Sequence, residues 1–258
     1  MERWVSYIIA STPRSGGSLL GAALLQTGVA GKPQEYFHVP IQEEFLYRKK
    51  FGIQTLGGYV QGILNEAETP NGVRGFKLHA FQTANFLAKT EDSFGASLGT
   101  LKEAIDAVMP NTRYIWMTRN DTLAQAASYY RALMTNEWWR FPGAGAPSRD
   151  AGVAFDQLAI SYCELLIRAS DAYWAEYFNH HAITPLHITF ENITVNYESS
   201  VRSALTFLDL PEETRIPPPA TVKMSDRRSE LWINELRGKK PMYTEADVER
   251  LKHRWAPI

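Results

Sequence analysis

Short apolar runs rich in β-branched and aromatic residues recur along this chain, with longer stretches of helical spacing between them. Trp4–Ala10 is the first run and reads as a buried strand. Ser11–Gly17 is a turn-rich loop, and the small and aliphatic residues Ser18–Thr27 suit a helix packed on that strand. Gly31–Gln34 reads as loop. The segments 41–51 and 55–67 predict helices, and Val73–His79 predicts a second strand. Leu98–Met109 is an amphipathic helix that stops at Pro110, and Arg113–Thr118 predicts a third strand, followed by a helix over Asp121–Met134. Residues 140–151 form a long loop. Phe155–Phe178 predicts a long helix, Thr184–Phe190 a fourth strand and Ser199–Leu208 another helix. An extended segment begins at Ile216–Ala220, and helices over Ser229–Arg237 and Thr244–Trp255 follow.

Strands alternating with long helices predict an α/β protein, a three-layer arrangement of parallel sheet flanked by helices. With no internal repeat and no composition shift, residues 1–258 read as one domain. In open parallel sheets ligands bind beyond the carboxyl ends of the strands. That directs attention to Ser11–Ser18, to Arg119 onward and to the residues after His79.

Composition narrows the function. The 27 basic and 28 acidic residues give a formal net charge of -1, which disfavours a broad nucleic-acid or anionic-membrane surface and leaves room for a local anion site. The single cysteine, Cys163, excludes an intrachain disulfide and any multi-cysteine zinc site, and fits a reducing compartment. The N-terminal apolar run meets Pro13 and Arg14 too soon for a secretory signal, and no stretch approaches the roughly 18 to 20 apolar residues of a membrane span. A cytoplasmic location is expected.

The loop S-T-P-R-S-G-G-S at Ser11–Ser18, between a strand and a helix, carries the clearest chemistry. Backbone amides at such a turn, with a helix N-terminus behind them, suit an anion. Gly16 and Gly17 permit close backbone approach, Arg14 supplies a planar fork for phosphate or sulfate oxygens, and Ser15 and Ser18 add hydroxyls. A nucleoside-triphosphatase loop would read G-x-x-x-x-G-K-S/T, and this one has no such lysine. The match to G-x-S-x-G at Gly95–Gly99 follows a polar stretch, so it is read as chance.

S-T-P-R-S-G-G-S-L-L, followed by G-K-P-Q-E-Y-F, resembles the opening of the Stf0-type sulfotransferases. V-R-G-F-K-L-H at Val73–His79, R-N-D-T-L-A-Q-A-A-S-Y-Y-R-A at Arg119–Ala132, T-N-E-W-W at Thr135–Trp139, I-T-F-E-N-I at Ile188–Ile193 and K-M-S-D-R-R-S-E-L-W at 223–232 are similar to further segments of that family. The resemblance implies a P-loop-like sulfotransferase architecture. It implies transfer of a sulfuryl group from 3′-phosphoadenosine 5′-phosphosulfate, without a metal, to a hydroxyl of a carbohydrate such as trehalose or of a glycolipid. Under it, Arg14, Ser15, Gly16, Gly17, Ser18 and Leu19 hold the 5′-phosphosulfate, Arg119 and Ser128 the 3′-phosphate, and Arg227 or Arg228 covers the nucleotide. Glu35 stands at the general-base position, and Phe37, Lys77, His79 and Trp139 fall on the acceptor side. A homodimer is possible on the same ground.

Alternatives stay open for several of these. Many relatives carry a second arginine after Arg119, where this chain has Asn120. Asp121 as a helix cap, with Arg119 paired to it or to Glu103, is an even reading. His79 is an alternative base or a structural histidine. Trp138, Trp139 and Phe141 either stack on a sugar or pin a loop. A phosphoryl transferase and a non-catalytic nucleotide-binding module remain the rival functions, and metal dependence separates the first of them.

Overall fold

The computed structural model describes residues 5–37, 41–54, 58–139, 152–220 and 227–258. Its centre is a four-stranded parallel sheet of order β2-β1-β3-β4, with β1 at Val5–Ser11, β2 at Val73–His79, β3 at Arg113–Thr118 and β4 at Leu186–Thr189. All four predicted strands are present, and the α/β class with them. The registers pair Ser11 with His79 and with Met117, and Thr118 with Thr189, so the strands finish along one carboxyl edge.

Period-two alternation sorts the strand residues onto two cores. Ile8, Ala10, Phe76, Leu78 and Tyr114 face one core, and Tyr7, Ile9, Val73, Ile115 and Met117 face the other. The first core is covered by α3 (Tyr59–Glu66), α4 (Thr83–Phe94), α5 (Leu101–Val108) and part of α7 (Gln157–His180). The second is covered by α1 (Gly17–Thr27) and α9 (Tyr197–Phe207). Beside the sheet, α6 (Thr122–Thr135), α7 and α10 (Arg227–Leu236) share a third cluster, in which Trp232 meets Tyr130 and Phe155. α11 (Glu245–Lys252) packs on α7, and α2 (Ile41–Lys50) lays Tyr47 on the first core.

Helix boundaries follow the caps. α5 begins at Leu101 and not at Leu98, because Thr100 accepts from the Glu103 amide and the two residues form a capping box. Asp156 caps α7 at Ala159 in the same way, two residues later than the periodicity predicts. Two helices escape the pattern. α4 starts straight from a 3-10 turn at Ala80–Gln82 with no side-chain cap, and α8 (Phe190–Val195) is under two turns long. Gly95 is the left-handed C-cap of α4, so the G-x-S-x-G match follows a helix and not a strand. The loop at 140–151, with Phe141, lies outside the described residues.

The chain returns to the sheet edge after α1 by backbone contact. A Cβ on Gly31 would lie 2.5 Å from the Gly75 amide nitrogen, and one on Gly75 would lie 2.6 Å from the Tyr7 hydroxyl. Gly31 also has φ +68°. Only residues without side chains let this strand approach so near, and the result is a bridge from Gln34 to Phe76 and a Lys77 amide donating to the Gln34 carbonyl. Glu35 is the next residue.

Candidate active site at the carboxyl edge of the sheet

The loop after β1 folds on itself. Ser15 donates both its amide and its hydroxyl to the Thr12 carbonyl, at 3.2 and 2.8 Å. Arg14 and Gly16 take left-handed φ values of 67° and 92°. Gly16 is the N-cap of α1, and a Cβ there would meet Phe190 at 3.2 Å and Met117 at 3.3 Å. The turn therefore directs the first α1 amides outward, where a helix has donors and no intrahelical acceptors. Two expected contacts change on this geometry. The Ser15 hydroxyl is spent inside the turn, and the Leu19 amide donates to the Gly16 carbonyl at 2.9 Å, three residues back, in a tightened first turn. Gly17 and Ser18 form the first turn of α1.

α6 clamps this loop. Gln125, fully buried, donates to Thr12 Oγ1 at 2.7 Å and to the Pro13 carbonyl at 2.8 Å. Arg14 Nε donates to Ser128 Oγ at 3.0 Å, and its Nη1 donates to the Trp138 carbonyl. Ser128 thus meets Arg14. Burial, followed by the charges of Arg119 and Arg131 and opposed by Glu137, brings the Arg14 guanidinium down to about 10. Three cations therefore converge on one corner, and a neighbouring anion would relieve both their burial and their repulsion. Arg131, one turn beyond Ser128, donates to Ser229 at the start of α10.

Arg119 lies 4.4 Å over the Phe190 ring, and its Nε is buried without a hydrogen-bond partner. Its guanidinium is lowered by burial, against the pull of Asp121 and Glu191. The even alternative resolves in parts. Asp121 does cap α6, accepting from Ala124 at 2.9 Å, while Glu103 is engaged in the Thr100 capping box. The loop is held by Glu191 of α8, whose carboxylate accepts from the Asn120 and Asp121 amides at 3.1 and 3.3 Å.

On the other side of the loop stands a compact ionic cluster. Glu35 Oε1 lies 2.6 Å from Lys77 Nζ and 3.4 Å from His79 Nε2, and Oε2 accepts from Gln82 Nε2 at 2.9 Å. Lys77 also donates to Ser18 Oγ at 2.7 Å. His79 Nδ1 donates to the Ser11 carbonyl at 2.9 Å, and Gln82 Oε1 accepts from the His79 amide. Burial pushes the Glu35 carboxyl up, but His79 and Lys77 outweigh it and hold the group well below its usual range.

Phe37, expected on the acceptor side, is buried in the first core, its ring 4.7 Å from Phe86 and packed near Tyr59 and Phe76. Trp139 is exposed at 55%, and Trp138 donates its indole N–H to Asn136. Arg227 and Arg228 open α10, and their side chains lie outside the described residues. Cys163 is buried and its thiol pushed up to about 12, which makes it inert. Among the described residues no group of three His, Cys, Asp or Glu side chains could hold a metal, and no helix is long and apolar enough to cross a membrane.

Gln125, Arg131, Gln82 and Glu191 were not legible as site residues. Each is a single polar residue in a helix or turn. The one available signal was an amide inside the alanine-rich run Ala124–Ala127, a position that burial makes costly without partners.

Fold and site together define a parallel α/β protein with a loop flanked by arginines at the carboxyl edge of its sheet. Residues 6–239 match the family model described as Stf0 sulphotransferase, and the chain belongs to that family. It is, accordingly, a sulfuryl transferase. A trehalose 2-sulfotransferase of Mycolicibacterium smegmatis is 28% identical over 256 residues, spanning 90% of this chain and 94% of the relative. Its counterpart from Mycobacterium tuberculosis is 26% identical over 258 residues, spanning 91% and 95%. A solved sulfotransferase from Alicyclobacillus acidocaldarius superposes with a TM-score of 0.49 at 15% identity, over 98% of this chain and 97% of that one.

Proposed function

We propose that the chain, acting as one domain, transfers the sulfuryl group of 3′-phosphoadenosine 5′-phosphosulfate to a hydroxyl of a small carbohydrate, with Glu35 as general base. The observation that carries the reading is the carboxylate of Glu35 tied through Lys77 to Ser18, at the first turn of α1. The two trehalose 2-sulfotransferase relatives make a disaccharide the first acceptor class to try.

The donor supplies an activated sulfur bound to a good leaving phosphate. The chain's residues fit it: Gly16 leaves the loop without a Cβ, Arg14 lies beside Ser128 under the charge of Arg119 and Arg131, and the orphaned Arg119 Nε has a hydrogen bond to give. The acceptor oxygen forms its bond to sulfur as the bond from sulfur to the bridging oxygen breaks, that electron pair leaves with the phosphate, and the hydroxyl proton passes to Glu35. Arg14 and the first α1 amides offset charge on the leaving phosphate, and Lys77 offsets charge on the transferring group. Such preorganised donors supply much of the rate in reactions of this type.

Glu35→Gln should keep nucleotide affinity and lose about 10²- to 10⁴-fold in turnover. Turnover near that of the parent would remove Glu35 from the role. Calorimetric titration with 3′-phosphoadenosine 5′-phosphate and with ADP, both without magnesium, tests the donor. Clear preference for the bisphosphate is expected. Equal affinities, with ADP bound only when magnesium is present, would instead favour a phosphoryl transferase.

A further inference from the structure

Lys77 is shared. Its ammonium holds Glu35 Oε1 at 2.6 Å and Ser18 Oγ at 2.7 Å, so one charge links the carboxylate to the first turn of α1. Its stem is fixed as well, because the side chain is buried and its Cδ runs past Gly17, 3.3 Å from where a Cβ would stand. Glu35 Oε1 meanwhile is fully engaged, shared by Lys77 and His79, while Oε2 takes Gln82 alone. An oxygen with both acceptor sites so occupied is poorly placed to accept a proton from a hydroxyl.

Resting on the reading that Glu35 is the base and the Ser11–Ser18 loop the donor seat, we propose that Lys77 couples the two: a sulfuryl group on the loop draws the ammonium away from Glu35 Oε1, and that oxygen then accepts the acceptor's proton. His79 and Gln82 keep the carboxylate oriented during the exchange, since both are anchored elsewhere, His79 to the Ser11 carbonyl and Gln82 to the His79 amide. The base is thereby released by the arrival of the substrate it is to serve. The charged and titratable groups facing Glu35 are Lys77 and His79 from β2 and the Tyr129 phenol from α6; His79 meets the loop at its start, Ser11, and Lys77 meets it at Ser18, in the first turn of α1.

The test is a ¹³C titration of glutamate carboxyls in the full chain, with Glu35 assigned by its loss in Glu35→Gln. The protein is measured alone, with 3′-phosphoadenosine 5′-phosphate, and with 3′-phosphoadenosine 5′-phosphosulfate in the absence of acceptor. The two nucleotides differ by the sulfuryl group. With the phosphosulfate the Glu35 midpoint should rise by about 1–3 pH units, as expected when one opposite charge withdraws; with the bisphosphate it should stay low. In Lys77→Met the midpoint should already be raised and should not respond to either ligand. An equal rise in Lys77→Met and in the parent would assign the effect to the donor's own charge and overturn the coupling. No rise in the parent at saturating phosphosulfate would overturn it too, while the base role is read separately from the turnover of Glu35→Gln. Should Lys77→Met not fold, the Lys77 Nζ resonance of the parent decides. It should shift with the phosphosulfate and not with the bisphosphate, and identical shifts with both would refute the proposal.

Discussion

Gln125 does for the loop what no glycine can. Its two hydrogen bonds, to Thr12 Oγ1 and the Pro13 carbonyl, tie the turn to α6 from within a buried position. Gln125→Leu leaves both acceptors without this donor, which costs about 1–3 kcal/mol. The expected outcome is a lowered urea midpoint together with weaker binding of 3′-phosphoadenosine 5′-phosphate, because the Arg14 turn loosens. Gly16 fails differently. Gly16→Ala must hold φ near +92° and push its methyl toward Phe190 and Met117, so it should cost at least about 1–2 kcal/mol and reduce nucleotide affinity. Thermal melts with and without nucleotide separate the two effects. The sequence made Gly16 visible because a glycine pair between a strand and a helix is a local pattern. Gln125 showed only as an amide in an alanine-rich run, and its role stayed hidden because its partners lie more than a hundred residues away. Glu35 stood between these cases: the family block marked it, but nothing local announced its three donors.

Elements connect the site to the rest of the molecule. α6 carries Gln125, Ser128 and Arg131 at spacings of three residues, so a single helix face touches the loop through the first two and reaches α10 through the third. α10 buries Trp232 against Tyr130 and Phe155, with Leu236 in the same cluster. Trp232→Ala should cost about 3–5 kcal/mol, borne mostly by α10. Hydrogen exchange should then quicken over residues 229–236 while β1 stays protected; uniform quickening would show that α10 and the sheet open together. Strands were legible because buried apolar runs bounded by turns carry their own signal. α4 was not, since its first residue follows a 3-10 turn without a capping side chain.

At the scale of the whole molecule, a buried acid makes stability depend on pH. Asp171 on α7 is raised to about 7 by burial, and its Oδ1 has no hydrogen-bond partner. A carboxyl that binds its proton more tightly when folded contributes stability at low pH, and loses that contribution as pH rises from its unfolded value near 4 through about 7. Asp171→Asn should match the parent near pH 4 and exceed it by roughly 2–4 kcal/mol above pH 7. Denaturant curves at the two pH values check the sign, and a gain that does not grow with pH would count against ionisation as the cause.

The strand order has a consequence for how the chain comes into being. β1 lies inside the sheet, between β2 and β3, yet it precedes both in sequence. On a ribosome Tyr7-Ile8-Ile9-Ala10 emerges first and stays unpaired on both edges until Val73–His79 and Arg113–Thr118 have been made. For that interval the strand is a short, uncharged, β-branched segment of the kind that pairs readily with other chains. The residues that carry the Ser11–Ser18 loop in the finished protein are thus the ones most in need of shelter during its synthesis, and yield on expression should respond to synthesis temperature and chaperone supply more than folded-state stability would indicate.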